Sequence, residues 1–530
     1  MAQLSLLFTI LVAAVLSVPA AERTRIPQPV LMTLIGIVLA ALPFVPNINL
    51  EPDLILPLVL PPLIHASAQR ASVRYYRANA RVILLLAVAL VILTTAVVAA
   101  TFRGLNPELP VGAAVALGAL VSPPDPVAAA AVASSIGLPR RLLGILETEG
   151  LFNDVLALVI YSLAVQAVTT HAFSPAGALG ELVLSAVVAL VVGIGLGWLS
   201  GRLMRLLDDP TLQVAISLLL PFAAYVLADH SHGSGILAVV ISSLWIGDRA
   251  MEADDVSYRL TGSAFWDVVE LLVNGVAFGL IGLELSTVAR EVQDWRSMIG
   301  GALVVIAAVV GIRLLWLLPG SWLLNRMDRR RGLHEDAVPL NWRESVVLWW
   351  SGMRGVASVA LALAVPYTVH GGAAFPGRDR IILTAFAVVL FTLLVQGLTL
   401  PALFRILDLT ADQDAENAVE RGLWLRATRA ALSRLKEIDE DEELPEEMVE
   451  RLRNRQAERI ARVRPDVYDE ELRQEARDRV LRIKEFRRVE EEMLAASRRE
   501  ILDARTEPGT DPEIVDRVLR ALDLRSTRSR

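Results

Sequence analysis

A succession of apolar stretches, each long enough to cross a bilayer, constrains this chain more than anything else in it. At 1.5 Å rise per residue a spanning helix needs about twenty mostly apolar residues. Runs of that kind occur at 3–20, 28–45, 53–68, 80–102, 110–136, 143–169, 177–203, 212–229, 233–248, 263–285, 297–324, 344–369 and 380–408, the third and ninth being short. Backbone polar groups inside lipid must be satisfied within the segment or in a closed barrel. Runs this long and this apolar therefore predict an all-α, polytopic membrane protein of about thirteen transmembrane helices. Composition agrees: 54% of 530 residues are hydrophobic, with a mean hydropathy of +0.50, too apolar for an ordinary soluble enzyme.

The charges are unevenly spread. The net charge of −7 says little, because most charged residues lie after about residue 410. Residues 1–409 read as a transmembrane domain. Residues 410–530 read as a charged, helical, cytoplasmic tail, with a regulatory role as one option and a self-packing appendage as the other. Apolar residues there recur at helical spacing, as at Leu472, Ala476, Val480 and Ile483, with breaks near Leu444-Pro445 and Glu507-Pro508-Gly509. With the N-terminus outside, the inner loops carry roughly seventeen Arg and the outer ones roughly five, a positive-inside bias. Arg70, Arg74, Arg77 and Arg81 form one inner cluster, and Arg326, Arg329, Arg330 and Arg331 another. An odd number of spans then puts the tail in the cytoplasm. Val18-Pro-Ala-Ala21 looks cleavable, but no positive n-region precedes it and more spans follow, so the first run reads as a retained helix. The absence of cysteine excludes disulfides, thiolate metal sites and thiol catalysis. The tail shows no nucleotide-binding loop, metal cluster or nucleic-acid motif.

The residues that do not belong in lipid are the functional candidates, since an ionisable group at that depth costs roughly 2.5–3.5 kcal/mol on insertion scales. Asp125 sits in Ser122-Pro-Pro-Asp-Pro-Val127. Proline removes an amide donor and pushes the preceding residue out of helix, so a span should break here and free the backbone around Ser122 and Pro124. Broken backbone survives at this depth only where it lines a cavity or is buried in protein. Glu149, Gly150, Asn153 and Asp154 open the charge-free run Val155–Val168. Glu149 and Asp154, five apart, point about 140° from each other on a helix. One carboxylate can meet an internal arginine while the other faces a cavity, where it holds a proton or a small cation in turn. Hard cations prefer oxygen ligands, and Asp154, Asn153 and the carbonyls of the break offer them.

Arg313 and Arg354 also lie in apolar segments and need partners. Glu149 suits Arg313, since a complete buried ion pair is tolerable and half of one is not. Arg354, between Gly352 and Gly355, marks a second break, where its charge can offset the facing dipole ends of half-helices. Other polar residues signal less. Asp229, His230 and His232 read as a solvated outer loop, His65 as a hydrogen-bonded residue of the bundle. Of Asp267, Glu270, Asn274 and Glu284, only the last two are expected to be more than surface.

These stretches together resemble the monovalent cation/proton antiporters of the NhaP-like group, bacterial relatives of the sodium/proton exchangers, over roughly residues 1–410. Ser122–Val127 looks like the family's Asp-Pro motif and Glu149-Gly-Leu-Phe-Asn-Asp154 like its Glu-Ser-x-x-Asn-Asp motif. Phe278-Gly-Leu-Ile-Gly-Leu-Glu284 and Trp350-Ser-Gly-Met-Arg-Gly355 look like two further family stretches. The resemblance implies inverted repeats with broken crossing helices and a homodimer in a bacterial inner membrane. It implies Na⁺, K⁺ or Li⁺ exchanged for H⁺ without any cofactor, in the service of pH homeostasis. It makes Asp154 the ion- and proton-carrying acid, Asn153 its neighbour and Asp125 a support, with Glu149 paired to Arg313. An Asn-Asp pair implies electroneutral, one-for-one exchange. Gly150 stands where many members carry a serine ligand, Pro124 replaces a common threonine, and the acid some members carry after Leu-Pro-Pro is absent, His65 and Ala66 standing there. Two other classes compete with a transporter: a cation-sensing receptor signalling through its tail, and a cation channel. An intramembrane hydrolase lacks a nucleophile–base pair and a His/Glu metal motif.

Overall fold

Lipid offers the backbone no hydrogen bonds, and in a computed structural model the apolar runs satisfy theirs as helices. The structure describes residues 2–24, 26–42, 52–70, 88–125, 128–129, 139–170, 175–250, 256–291, 295–331, 341–409, 413–442, 444–463, 488–490, 492–502, 515, 517–519 and 522. The arginine cluster at 74–81 and the expected tail features at 472–483 and 507–509 fall outside them. The chain divides into two compact units, Met1–Ala411 and Asp412–Arg530.

The first unit is built from α1 (Ala2–Thr24), α2 (Gln28–Ala41), α3 (Pro52–Arg70), α4 (Leu90–Leu105), α5 (Val111–Val121), α6 (Arg140–Thr170), α7 (Pro175–Arg205), α8 (Pro210–His230) and α9 (Gly235–Ala250). There follow α10 (Val256–Glu291), α11 (Trp295–Arg331), α12 (Trp342–Trp350), α13 (Val356–Leu363), α14 (Arg378–Leu390) and α15 (Gly397–Ile406). A π-helical segment, Phe391–Gln396, joins the last two. Seven helical stretches among the described residues are long and apolar enough to cross a membrane, and four shorter apolar helices accompany them. Among the described residues there is no strand beyond an isolated bridge between Thr368 and Ala374.

Two of the expected spans are, among the described residues, not continuous helices. The run at 110–136 stops at Val121, and Ser122–Asp125 is non-helical before helix resumes at Ala128–Ala129. The run at 344–369 is split between α12 and α13 by Ser351–Gly355 and ends at Leu363. The short α13 packs on α3, α5, α10 and α14, which puts its N-terminal end in the middle of the bundle.

Helices in lipid associate through close packing rather than hydrophobic expulsion, and small residues permit it. The contact of α2 with α10 shows this. Gly36, Gly279 and Gly282 bring the two backbones together so closely that a Cβ on Gly36 would lie 2.9 Å from the Gly282 Cα. One on Gly282 would lie 2.7 Å from the Ile37 nitrogen. One on Gly279 would stand 3.0 Å from Ile10 of α1.

The second unit contains α16 (Gln413–Glu442) and α17 (Glu446–Val463), which pack on each other across the break at Leu444-Pro445. Pro445 caps α17, its carbonyl accepting from the Met448 and Val449 amides at 2.8 and 3.2 Å. Charge pairs such as Glu447–Arg451 at 2.6 Å lie on exposed faces, where each adds little to stability.

Candidate ion-binding site

The two breaks meet, and each satisfies the polar groups the other exposes. The Asp125 amide donates to the Met353 carbonyl at 2.7 Å. The Val356 amide, at the start of α13, donates to Asp125 Oδ2 at 3.3 Å, and the Ala128 amide donates to Asp125 Oδ1 at 3.4 Å. Asp125 thus sits at the N-terminal end of α13, where partial positive charge collects, and accepts a further amide where helix resumes at Ala128. Arg354, 2% exposed, does the converse. Its Nε donates to the Val121 carbonyl at 2.8 Å, its Nη2 to Ser122 at 3.2 Å, and its Nη1 to Gly352. These are the carbonyl ends of α5 and α12, where partial negative charge collects. The Arg354 amide donates to Thr392 Oγ1 at 2.9 Å, which brings in the π-helical segment. Among the described residues no carboxylate forms an ion pair with Arg354. Gly355 has to be glycine here, because a Cβ would fall on the Asp125 carboxylate.

Beside the breaks, Glu149 of α6 and Arg313 of α11 form a two-pronged ion pair. Nη1 donates to Oε1 at 2.5 Å and Nη2 to Oε2 at 2.9 Å, with both side chains 2% exposed. Arg313 also donates to the Leu348 carbonyl from Nε at 3.3 Å and from Nη2 at 3.2 Å. Gly352 lets the guanidinium pass: a Cβ would lie 2.6 Å from Arg313 Nε and 3.1 Å from Arg354 Nη1.

Asp154 lies elsewhere on α6, as the five-residue spacing from Glu149 requires. It borders a cavity of about 50 Å³, enough for more than one water. Pro123 and Asp125 of the first break, Gly150 of α6, Asn274 of α10, Gly355 of the second break and Ser358 of α13 share that cavity, and Leu60, Ile64 and Ser67 of α3 line it as well. Among the described residues neither a hydrogen-bond donor nor a cationic side chain pairs with Asp154. Asn153 is fully buried, donates from Nδ2 to the Pro124 carbonyl at 3.5 Å and does not line the cavity. The Ser122 hydroxyl donates to Ala119 at 2.9 Å. The donor set suits a hard monovalent cation, being carboxylate, amide, hydroxyl and carbonyl oxygen. Among the described residues no three His, Cys, Asp or Glu residues form a metal cluster.

Residues outside the cavity are accounted for as well. His65 is fully buried, with Nδ1 2.6 Å from Ser243 Oγ and Nε2 2.7 Å from Gln69 Nε2, its ring 4.5 Å from that of Trp266. Asp229, His230 and His232 are exposed at the end of α8. Asp267 is exposed, whereas Glu270 and Glu284 are half-buried. Sequence reasoning passed over Ser358, which no charge or proline marks out, and Thr392, which acts on a residue 38 positions away.

Known proteins share this architecture. An uncharacterised Na⁺/H⁺ exchanger of Mycobacterium tuberculosis is 32% identical over 88% of this chain and 86% of its own. That span exceeds the first unit, so the likeness runs into the tail, which the sequence motifs alone leave outside it. A sodium, potassium, lithium and rubidium/H⁺ antiporter of Bacillus pumilus is 32% identical over 78% of this chain and 63% of its own. The solved structure of the sodium/proton antiporter MjNhaP1 of Methanocaldococcus jannaschii at pH 8 superposes with a TM-score of 0.59. It is 21% identical, over 76% of this chain and 98% of that one, a likeness of fold. Residues 8–406 match the family described as "Sodium/hydrogen exchanger, transmembrane", and the chain is a multi-pass membrane protein that belongs to it.

Proposed function

We propose that the chain is a secondary antiporter that exchanges Na⁺, or K⁺ or Li⁺, for H⁺, one for one and without ATP, by alternating access around Asp154. The observation that carries this reading is that, among the described residues, Asp154 is the one acid at the cavity whose charge is left over. Glu149 is matched by Arg313. Asp125 accepts from the amides of Val356, at the N-terminus of α13, and Ala128, while Arg354 faces the carbonyl ends of α5 and α12. Asp125 and Arg354 carry one charge of each sign, so the two breaks offset one another to first order. One negative charge remains, and a single proton or a single monovalent cation cancels it. Asp154 is therefore the shared ion and proton site. Asn153 and Pro124 brace the break, Ser122 and the glycines 150, 352 and 355 give the backbone its room, and Arg354 and Asp125 hold the half-helices in register. The cation range named for the Bacillus relative keeps K⁺ and Li⁺ beside Na⁺. The arginine bias of the loops supports an N-terminus outside and a tail in the cytoplasm, and the family resemblance favours a bacterial inner membrane. A homodimer is the assembly the family resemblance favours.

The test is cation-driven proton flux in proteoliposomes. Wild type acidifies or alkalinises the lumen in the direction the Na⁺ gradient sets, at a rate indifferent to a clamped membrane potential. Asp154→Asn abolishes the flux and leaves the melting transition in place. Exchange by that variant, or a current that follows voltage, overturns the reading.

A further inference from the structure

Two oxygens in the cavity have no task in the fold. Several buried serines of this bundle donate back to a carbonyl three or four residues earlier: Ser217 to Val214 at 2.7 Å, Ser242 to Val239 at 3.0 Å, Ser351 to Val347 at 2.7 Å. Ser358, 1% exposed in the first turn of α13, does not, and its hydroxyl has no partner. Asn274 of α10, 9% exposed, likewise leaves Oδ1 unpartnered. Both line the cavity that holds Asp154 and Asp125. A buried polar atom without a partner is costly and calls for an explanation.

We infer that Ser358 Oγ and Asn274 Oδ1 are ligands of the dehydrated cation and set which alkali ion the site accepts. This inference rests on the exchange reading above. A proton needs only one carboxylate oxygen. An alkali cation that leaves water needs several oxygens to replace its shell, and cavity size and ligand number decide between cations. Asp154 supplies charge to both visitors. The two neutral oxygens, arriving from α13 and α10, act on the cation alone. Gly150 contributes no side-chain oxygen from α6, so the neutral ligands come from the helices opposite.

The test is the apparent KM for Na⁺, K⁺ and Li⁺ of the full chain in proteoliposomes at fixed pH. Ser358→Ala and Asn274→Ala each raise KM for the favoured ion by about tenfold, the effect of one lost hydrogen-bond-strength contact to a charge. Both change the ratio of KM values among the three ions. Ser358→Thr, which keeps the oxygen, keeps the wild-type order. A second readout is the rise in melting temperature that each cation gives the detergent-solubilised protein, which shrinks in both alanine variants. Wild-type KM ratios and wild-type cation-induced melting shifts in both alanine variants overturn the inference and leave the exchange reading standing. A wild-type protein that exchanges no cation for protons overturns that reading itself.

Discussion

Glu149→Gln strands the Arg313 guanidinium in the bundle interior. The arginine is 2% exposed, and two hydrogen bonds to the carboxylate, at 2.5 and 2.9 Å, lose their charged acceptor. Removing one member of such a pair costs about 3–5 kcal/mol, because the survivor keeps its charge and has no water. The Leu348 carbonyl still accepts from Nε and Nη2 at 3.3 and 3.2 Å. That remaining solvation places the expected loss near the lower end, about 3 kcal/mol. Glu149→Gln combined with Arg313→Met removes both charges, and replacing a whole buried pair with neutral side chains is often nearly neutral. The double variant should return to within about 1 kcal/mol of wild type, a coupling of about 2 kcal/mol or more between the sites. Unfolding of the purified protein by SDS in mixed micelles, followed by tryptophan fluorescence, measures all four corners of the cycle. Losses under about 1 kcal/mol for Glu149→Gln, or strictly additive variants, would refute the claim that the two charges hold each other in place.

Further expectations address the cavity, the breaks and the surface. On the proposed sharing of Asp154 by protons and Na⁺, lowering the pH on the cation side raises the apparent KM for Na⁺ while saturating Na⁺ restores the maximum rate; a fall in maximum rate alone contradicts competition. Gly355→Ala drives a methyl into the Asp125 carboxylate, and such overpacking costs about 1–3 kcal/mol; an unaltered melting temperature with unaltered exchange would contradict the contact. Glu108, in the exposed loop before α5, is held below the ordinary carboxylate range by its own backbone amide and by the Arg380 guanidinium beside it. A depressed folded value contributes stability at pH above the unfolded value and loses it as pH falls through the folded one. The small melting difference between wild type and Arg380→Gln should therefore shrink on acidification, and a difference that grows would reverse the assignment. A chain ending at Ala411 retains the first compact unit and should retain exchange in proteoliposomes, with loss of transport marking the tail as essential.

The fold was largely legible in the sequence because lipid leaves an apolar run so few options. Pro123, Pro124 and Pro126 announced the first break, and Gly352 with Gly355 around a charge announced the second. Glu149 and Arg313 could be matched in advance for the same reason, since two opposite charges in one apolar bundle have few partners. The π-helical turn at Phe391–Gln396 carries no such mark, and its use became visible only when Thr392 was seen to cap Arg354. Ser358 was equally silent: a serine in a helix reads as one that bonds its own backbone, and only the missing bond sets it apart. Asn153 reads from its position as a cavity residue, yet the rotation of α6 turns it toward Pro124. Which face of a helix meets an irregular segment depends on where that segment runs, and local periodicity does not carry that information.

The glycine seam between α2 and α10 has a bearing on durability. A protein whose work is to alter acidity and salt on either side of itself exposes its own joints to both. Clasps made of carboxylates and arginines loosen or tighten as those conditions swing. At Gly36, Gly279 and Gly282 the joint is instead bare main chain against main chain, a fastening with nothing to titrate and nothing for counterions to screen. It grips equally in every ionic climate the molecule creates.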